Sequence, residues 1–216
     1  MTRTPYYPAG LQLDGYHEQL LGKASILGTF FSIAALQVAL TWLLTGKLRT
    51  RDRVLVTWLV FTGIVHIVVE GAFVLNDKFY QNADPKMLLL ELWKEYSKAD
   101  SRYATRDAFT TTMETTTAFA VGPAALLAAA GVMLRASWRW VLILVLSTFQ
   151  LYGDILYFAT YWFEGMVHTR PEPLYFWAYF VVMNSIWVVI PVWCVAVCVA
   201  ECSTATRALE SGKKRR

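Results

Sequence analysis

Four ionisable side chains lie in long stretches of the chain that carry almost no other charge. They are His66, Glu70, Glu114 and Asp154. An ionisable group at bilayer depth is energetically costly and usually faces a cavity or another polar group, so each is a candidate functional residue. Two carboxyls and one imidazole can donate one proton and accept another if they meet. The pattern therefore predicts proton-transfer chemistry inside a membrane.

The spacing of these residues predicts which side chains share a helix face. His66 and Glu70 are four positions apart, so their side chains should reach each other and pass a proton. Glu114 and Thr117 are three apart in a threonine-rich segment whose hydroxyls can support the carboxyl by hydrogen bonds. Asp154 is nearer to the end of its apolar stretch, where snorkelling or a structural pairing competes with a chemical role.

A second polar face is expected near the C-terminus of the chain. Asn184 and Trp187 are three apart and share a helix face. The electron-rich face of an indole stabilises a desolvated cation by about 2 kcal/mol or more. Proton entry, a stabilised cation and proton removal together describe an isomerisation. The competing interpretation is that Thr and Asn only hold helices together by hydrogen bonds.

The composition identifies the elements that must hold these groups. Of 216 residues, 56% are hydrophobic and 17% are charged, whereas water-soluble domains carry roughly 25% charged residues. Disorder and fibrous repeats are excluded, and the net charge of +4 is too scattered to suggest a nucleic-acid partner. The chain is predicted to be one membrane domain, residues 1–216, in contact with the lipid bilayer.

Five stretches are long enough to cross a hydrocarbon core of about 30 Å. They run from Ile26 to Leu44, from Val54 to about Leu75, from Ala118 or already Phe109 to Leu134, from Trp138 to Ala159, and from Tyr175 to Ala200. Strands in isolation cannot satisfy their backbone groups in lipid, so these stretches are predicted to be helices. The fold class is therefore an all-α bundle of five transmembrane helices.

Basic residues predict the orientation of the bundle. They are dense in two short connections and in the tail, at Lys47, Arg49, Arg51, Arg53, Arg135, Arg139, Arg207 and residues 213–216. The positive-inside rule then places the C-terminus, with a basic tail over residues 201–216, in the cytosol. No cleaved signal peptide is expected, because residues 1–25 are polar. The Lys-Lys-Arg-Arg ending is either a dilysine-type retrieval signal or a basic membrane anchor.

The connection from Asn76 to Asp107 is the only long one. Its segment from Met87 to Lys98 mixes leucines, aromatic residues and charges, which is typical of an amphipathic interfacial helix. We expect this helix to lie on the bundle as a lid between the second and third transmembrane helices. Three cysteines at four-residue spacing, Cys194, Cys198 and Cys202, are expected to pack as small apolar residues and to bind no metal.

Several motifs resemble one known family. They are His66-Ile-Val-Val-Glu70-Gly71, Leu92-Trp-Lys-Glu-Tyr-Ser-Lys-Ala-Asp-Ser-Arg-Tyr103, Met113-Glu114-Thr115, Leu151-Tyr-Gly-Asp-Ile-Leu-Tyr-Phe158 and residues 175–187 with Asn184 and Trp187. The chain closely resembles the emopamil-binding-protein family of sterol Δ8,Δ7-isomerases, also called EXPERA, from Trp42 to Pro191. The family-like region is expected at about residues 54–200.

The resemblance implies a fold, a place and a reaction. Family members have five transmembrane helices in the endoplasmic reticulum and a sterol cavity that also accepts cationic amphiphilic drugs. An acid protonates carbon 9 of a Δ8 sterol, carbon 8 becomes positive, and a base removes a proton from carbon 7, without a cofactor. By motif, the site is expected to contain His66, Glu70, Glu114, Thr117, Asn184, Trp187 and Tyr103.

The resemblance further implies that the carboxyls and His66 shuttle protons and that Trp187 faces the cation. Glu70 and His66 are assigned to the donor side, and Glu114 to cation stabilisation or deprotonation. A homodimer and a complex with a sterol reductase are expectations from the family. Two alternatives remain: a non-catalytic sterol-binding member of the same fold, and a small transporter, which would be expected to show repeats or broken helices.

The third span departs from the family in having small residues at positions 118–130, most of them alanine. They either widen the cavity or let helices pack more closely.

Overall fold

A computed structural model describes residues 4–213 of the chain. In this part, five helices are long and apolar enough to cross a membrane, which confirms the predicted all-helical architecture. In chain order the helices are α1 (Lys23–Leu44), α2 (Thr50–Leu75), α3 (Leu88–Tyr96), α4 (Arg102–Thr105), α5 (Ala108–Met133), α6 (Arg139–Phe163) and α7 (Leu174–Gly212). Helices α3 and α4 belong to the long connection, together with a 3-10 turn at Phe79–Gln81, and the other five are the spans.

The helices extend beyond the apolar stretches that predicted them. Helix α2 begins at Thr50, before the predicted Val54, and α7 continues to Gly212 through most of the predicted basic tail. A helical backbone satisfies its own hydrogen bonds, so it continues past the apolar core at little cost. The Lys-Lys-Arg-Arg ending lies outside the residues whose side chains the structure describes.

Three of the spans contain a π-helical segment. These segments are Val65–Glu70 in α2, Thr117–Val121 in α5 and Leu174–Met183 at the start of α7. A π turn inserts an extra residue into a helix and is frequent at functional sites. His66 and Glu70 lie within the first segment, Thr117 opens the second, and Asn184 directly follows the third.

Two apolar clusters fill the bundle. The first joins α2, α5, α6 and α7 and includes Leu55, Trp58, Ile143, Cys194 and Cys198. The second cluster joins the opposite ends of these helices to α3 and to the N-terminal segment, residues 4–22. It is mainly aromatic and includes Phe73, Trp93, Tyr103, Tyr161 and Phe180. Along α2, α5, α6 and α7, the polar residues singled out from the sequence fall between the two clusters.

The small residues of α5 bring it close to α2. A Cβ atom added at Gly122 would lie 2.9 Å from the Cβ of His66 and 3.2 Å from the carbonyl oxygen of Gly63. Ala125, Ala128 and Ala129 are buried in the first cluster. These contacts favour close helix packing over a wider cavity. Gly122 thereby sets the position of the backbone that carries His66.

Helix α3 lies within the predicted lid segment, but its charged side chains are buried. Glu91 and Lys94 are 0% and 1% exposed and form an ion pair of 2.9 Å. The N-terminal segment covers them: the backbone N–H groups of Leu20 and Leu21 donate to Glu91, and Lys94 donates to the carbonyl oxygen of Glu18. The sequence pattern suggested a solvated polar face because it did not show that residues 4–22 fold over it.

The variant Gly122→Ala should destabilise the bundle. Its new methyl group would overlap His66, and an extra methyl forced into a packed interior costs about 1–3 kcal/mol. Gly28→Ala in α1 is the matched control, because a Cβ there meets nothing within 4 Å. Thermal unfolding of the purified variants measures the effect. Equal melting temperatures for Gly122→Ala and Gly28→Ala would contradict the close α2–α5 contact.

The docking of the N-terminal segment should be lost in acid. Burial alone would raise the pKa of the Glu91 carboxyl, but hydrogen bonds from Lys94 and from the backbone of Leu21 and Leu20 lower that pKa below its usual value. The resulting stability is fully present above the unfolded pKa of about 4.3 and is lost as the pH falls through the lower folded pKa.

We therefore expect Glu91→Gln to destabilise the protein at neutral pH by about 3–5 kcal/mol, because Lys94 loses its buried partner. Thermal unfolding of the native chain and Glu91→Gln across the acid range tests this expectation. The gap between their melting temperatures should close as the pH falls through the lowered folded pKa of Glu91. A gap that stays constant with pH would show that the charge of Glu91 is not involved.

Candidate active site

A cavity of about 460 Å³ lies between the two apolar clusters, beneath α3. Its size is within the range of about 300–1,000 Å³ that is usual for small-molecule sites. All seven residues named from the sequence line it: His66, Glu70, Tyr103, Glu114, Thr117, Asn184 and Trp187. Most of the remaining wall is apolar or aromatic, with Val65, Leu92, Trp93, Phe109, Met113, Phe149, Leu156 and Met183 among the lining residues.

His66 and Glu70 contact each other directly. The Nδ1 atom of His66 lies 2.7 Å from both carboxyl oxygens of Glu70. The hydroxyl of Thr117 on α5 also donates to Glu70 through a short hydrogen bond. His66 is 3% exposed, so this group is shielded from solvent. Glu70 is thus held from two helices, by an imidazole on its own helix and by a hydroxyl from α5.

Glu114 is supported from the long connection and not from its own helix. The hydroxyl of Tyr103, on α4, donates to Glu114 Oε1 at 2.7 Å. Thr117, which shares the helix face of Glu114, instead donates to the Glu114 backbone carbonyl at 3.1 Å. A helical Thr readily bonds the carbonyl three residues earlier, so spacing alone could not identify the partner of the carboxyl.

The Thr117 hydroxyl brings the two glutamates together, because it contacts the Glu70 carboxyl and the Glu114 backbone carbonyl, and both glutamates line the same cavity. Two carboxylates in one apolar cavity repel each other, so the state in which both are ionised is disfavoured. Burial, and next the neighbouring Glu114 carboxyl, raise the pKa of Tyr103 well above its ordinary value, so its hydroxyl keeps its proton and donates. The site therefore contains one carboxyl that can give a proton and one that can accept.

Two residues that the sequence analysis did not assign complete the environment of His66. Thr62, one turn earlier on α2, and Gln150 on α6 both contact the Nε2 atom of the ring, at 3.0 and 2.9 Å. Gln150 was visible as a polar interruption of an apolar span, but Thr62 was not, because threonine is common in such helices. Trp187 on α7 donates its indole N–H to the Thr62 hydroxyl at 3.0 Å.

Asn184 and Trp187 bind different partners, although they share a helix face. Its side-chain amide and the hydroxyl of Tyr96 on α3 hydrogen-bond each other, at 2.9 and 3.1 Å. Asn184 also donates to the carbonyl of Phe180 at 2.6 Å. The pair joins α7 to the lid helix at the cavity wall. Tyr96 is a further lining residue that sequence reasoning missed.

Asp154 also lines the cavity. Its Oδ2 atom is buried without a hydrogen-bond partner among residues 4–213. The structure therefore shows neither snorkelling nor a structural ion pair for this residue within the described part of the chain. Its carboxyl is a third acidic group near Glu70 and Glu114.

The arrangement is an acid–base site in an apolar cavity. One imidazole and two hydrogen-bonded carboxyls lie beside the indole of Trp187, whose ring centroid is 6.3 Å from that of His66. Such groups can protonate one carbon atom and deprotonate another while an aromatic face stabilises the intervening cation.

A family model described as EBP, EXPERA (EXPanded EBP superfamily), matches residues 88–198. The chain belongs to the EXPERA family. It is 41% identical over 191 residues to a probable 3-beta-hydroxysteroid-Delta(8),Delta(7)-isomerase of Oryza sativa, covering 87% of this chain and 86% of that protein. It is 40% identical over 195 residues to the 3-beta-hydroxysteroid-Delta(8),Delta(7)-isomerase of Rattus norvegicus, covering 87% and 83%.

A relative whose name gives a different activity is also similar. Isomeliandiol synthase of Melia azedarach is 37% identical over 157 residues, which cover 71% of this chain and 73% of that enzyme.

Removing the hydroxyl of Tyr103 should destabilise the site. In Tyr103→Phe the buried Glu114 carboxyl loses its donor, and a buried group left unpaired costs about 1–3 kcal/mol. Tyr6→Phe is the matched control, because Tyr6 is equally buried and its hydroxyl has no hydrogen-bond partner in the described chain. Chemical unfolding monitored by tryptophan fluorescence compares the two. A loss in Tyr6→Phe as large as in Tyr103→Phe would refute the role of the hydrogen bond.

Proposed function

We propose that this protein is a 3β-hydroxysteroid Δ8,Δ7-isomerase, which moves the double bond of the sterol B ring. The observation that carries the proposal is the placement of the hydrogen-bonded pair His66–Glu70 and of Glu114 at the wall of one apolar cavity. The names of the relatives supply the substrate class. The geometry supplies groups of the kind that the reaction needs.

The proposed reaction needs one proton in and one proton out. An acid adds a proton to carbon 9 of the Δ8 sterol, the positive charge then sits at carbon 8, and loss of a proton from carbon 7 forms the Δ7 double bond. We assign Glu70, with His66 hydrogen-bonded to it, to the donor side, and Glu114 to cation stabilisation or deprotonation. Each turnover leaves Glu70 without its proton and the base with an extra one, so the site returns to its starting state when Glu70 regains a proton from water and the base releases one.

The cation at carbon 8 is the species that the cavity must stabilise most. Trp187 lines the wall, and its indole N–H is bound by Thr62, which limits the orientations of the ring. An aromatic face and a nearby carboxylate both favour a positive charge in a desolvated site. Binding the transition state more tightly than the substrate is what accelerates the reaction.

The same stabilisation of positive charge supports the proposal that cationic amphiphilic drugs bind in the cavity. A cationic amphiphilic drug would place its ammonium where the intermediate carries its charge and its apolar body in the cavity. The family resemblance supports three further proposals: a homodimer, a complex with a sterol reductase, and a location in the endoplasmic reticulum. The composition supports a fourth, one membrane domain over residues 1–216. The basic residues of the connections and tail support a cytosolic C-terminus.

Sterol profiling in a yeast strain that lacks its own Δ8,Δ7-isomerase tests the proposed function. The native chain should restore Δ7 sterols, whereas Glu70→Gln and Glu114→Gln should lose at least about 100-fold in rate, because general acid and base groups contribute that much. Glu210→Gln, at the exposed end of α7, is the control and should match the native chain.

The contradicting result is persistence of Δ8 sterols although the native chain is expressed and binds sterol. The fold would then act as a sterol-binding module, which is the second candidate function. Retained activity in Glu70→Gln or Glu114→Gln would leave the isomerase in place but remove that carboxyl from the chemistry.

A further inference from the structure

Thr62 lies at the centre of a buried hydrogen-bond network. Its hydroxyl oxygen accepts the indole N–H of Trp187 at 3.0 Å and the side-chain N–H of Gln150 at 2.8 Å. A hydroxyl oxygen has two lone pairs, and an indole N–H can only donate. Both lone pairs are therefore in use, and the hydroxyl has one capacity left, which is to donate its own proton.

The nearest acceptor for that proton is the Nε2 atom of His66, at 3.0 Å. The second N–H of the Gln150 amide also points at Nε2, at 2.9 Å. A nitrogen that faces two donors must present its lone pair, so Nε2 carries no proton. On the other side of the ring, Nδ1 faces both oxygens of Glu70 at 2.7 Å and must donate.

We propose that Thr62, with Gln150 and Trp187, holds the His66 ring with its proton on Nδ1, and that Thr62 is thereby a positioning residue for the acid Glu70. The catalytic part of this proposal rests on the proposed isomerase function. A proton on Nε2 would have no free acceptor, because the lone pairs of Thr62 are occupied. His66 therefore donates a hydrogen bond to Glu70 and orients its carboxyl. It passes no proton out through Nε2.

The network also connects the residue that orients the proton donor, His66, with the residue that stabilises the cation, Trp187. The hydroxyl that fixes the imidazole beside the acid also binds the indole that faces the cation. Thr62 is 0% exposed and Gln150 is 8% exposed, so solvent does not compete for these contacts. Loss of the one hydroxyl should therefore disturb both His66 and Trp187.

The position of the ring proton can be measured directly. The chain has three histidines, so nitrogen NMR of the purified, ¹⁵N-histidine-labelled protein can report on His66 once His17→Gln and His168→Gln assign the other two. The native spectrum should show His66 with the proton on Nδ1. Thr62→Val, which keeps the shape and removes the hydroxyl, should lose this preference, and Thr62→Ser should keep it.

Activity measurements separate positioning from binding. With a Δ8 sterol, Thr62→Val should lower kcat roughly 10- to 100-fold with little change in KM, as expected when an orienting hydrogen bond is lost. Thr62→Ser should recover most of the rate. Thr57→Val is the control, because Thr57 is on the same helix and its buried hydroxyl oxygen has no partner in the described chain.

If Thr62→Val does not fold, Trp187→Phe provides a second test of the His66 tautomer. It removes the N–H that occupies one Thr62 lone pair, so a proton on Nε2 of His66 gains an acceptor and should become detectable. The proposal is overturned if native His66 carries its proton on Nε2, or if a folded Thr62→Val keeps both the native tautomer and the native kcat. A native chain without isomerase activity would instead refute the proposed function, because the ring measurement needs no turnover.

Discussion

The main physical constraint on this molecule is the placement of acidic side chains in an apolar interior. A lone carboxylate in such a place is unstable, so it must share a proton or receive hydrogen bonds. Glu70 receives hydrogen bonds from His66 and Thr117, and Glu114 from Tyr103. Both glutamates line the same cavity, and Thr117 contacts each of them. What makes the groups tolerable in the membrane also makes them suitable for moving protons.

The rest of the fold holds these carboxyls and their hydrogen-bond donors in position. Close approach of α2 and α5 at Gly63 and Gly122 brings Thr117 to Glu70. The π-helical segments occur where these side chains enter the cavity. On the far side, α4 presents Tyr103, and Arg102 of the same helix holds the connection to α6 by donating to Thr160 and to the Tyr157 carbonyl.

The sequence was sufficient to predict the five spans, the lid segment and the charged residues that line the cavity, because charge in an apolar stretch is rare and has a large cost. The partners of those residues were harder to predict. Thr117 shares a helix face with Glu114, yet it serves Glu70, since helices α2 and α5 meet at a π turn that no periodicity reveals. Thr62 was missed because one threonine among many has no distinguishing signal. The burial of Glu91 depends on residues 4–22, which have no helical pattern.

The proposed reaction takes one proton from an exchangeable protein group to the substrate and returns another proton from the substrate to a different group. Conversion of a Δ8 sterol by the purified protein in deuterium oxide, followed by mass spectrometry and NMR of the Δ7 product, measures this most directly. Product formed by the native chain should contain one deuterium atom at carbon 9. A Δ7 product without deuterium would mean that the hydrogen of carbon 7 is transferred to carbon 9, and it would contradict separate roles for Glu70 and Glu114.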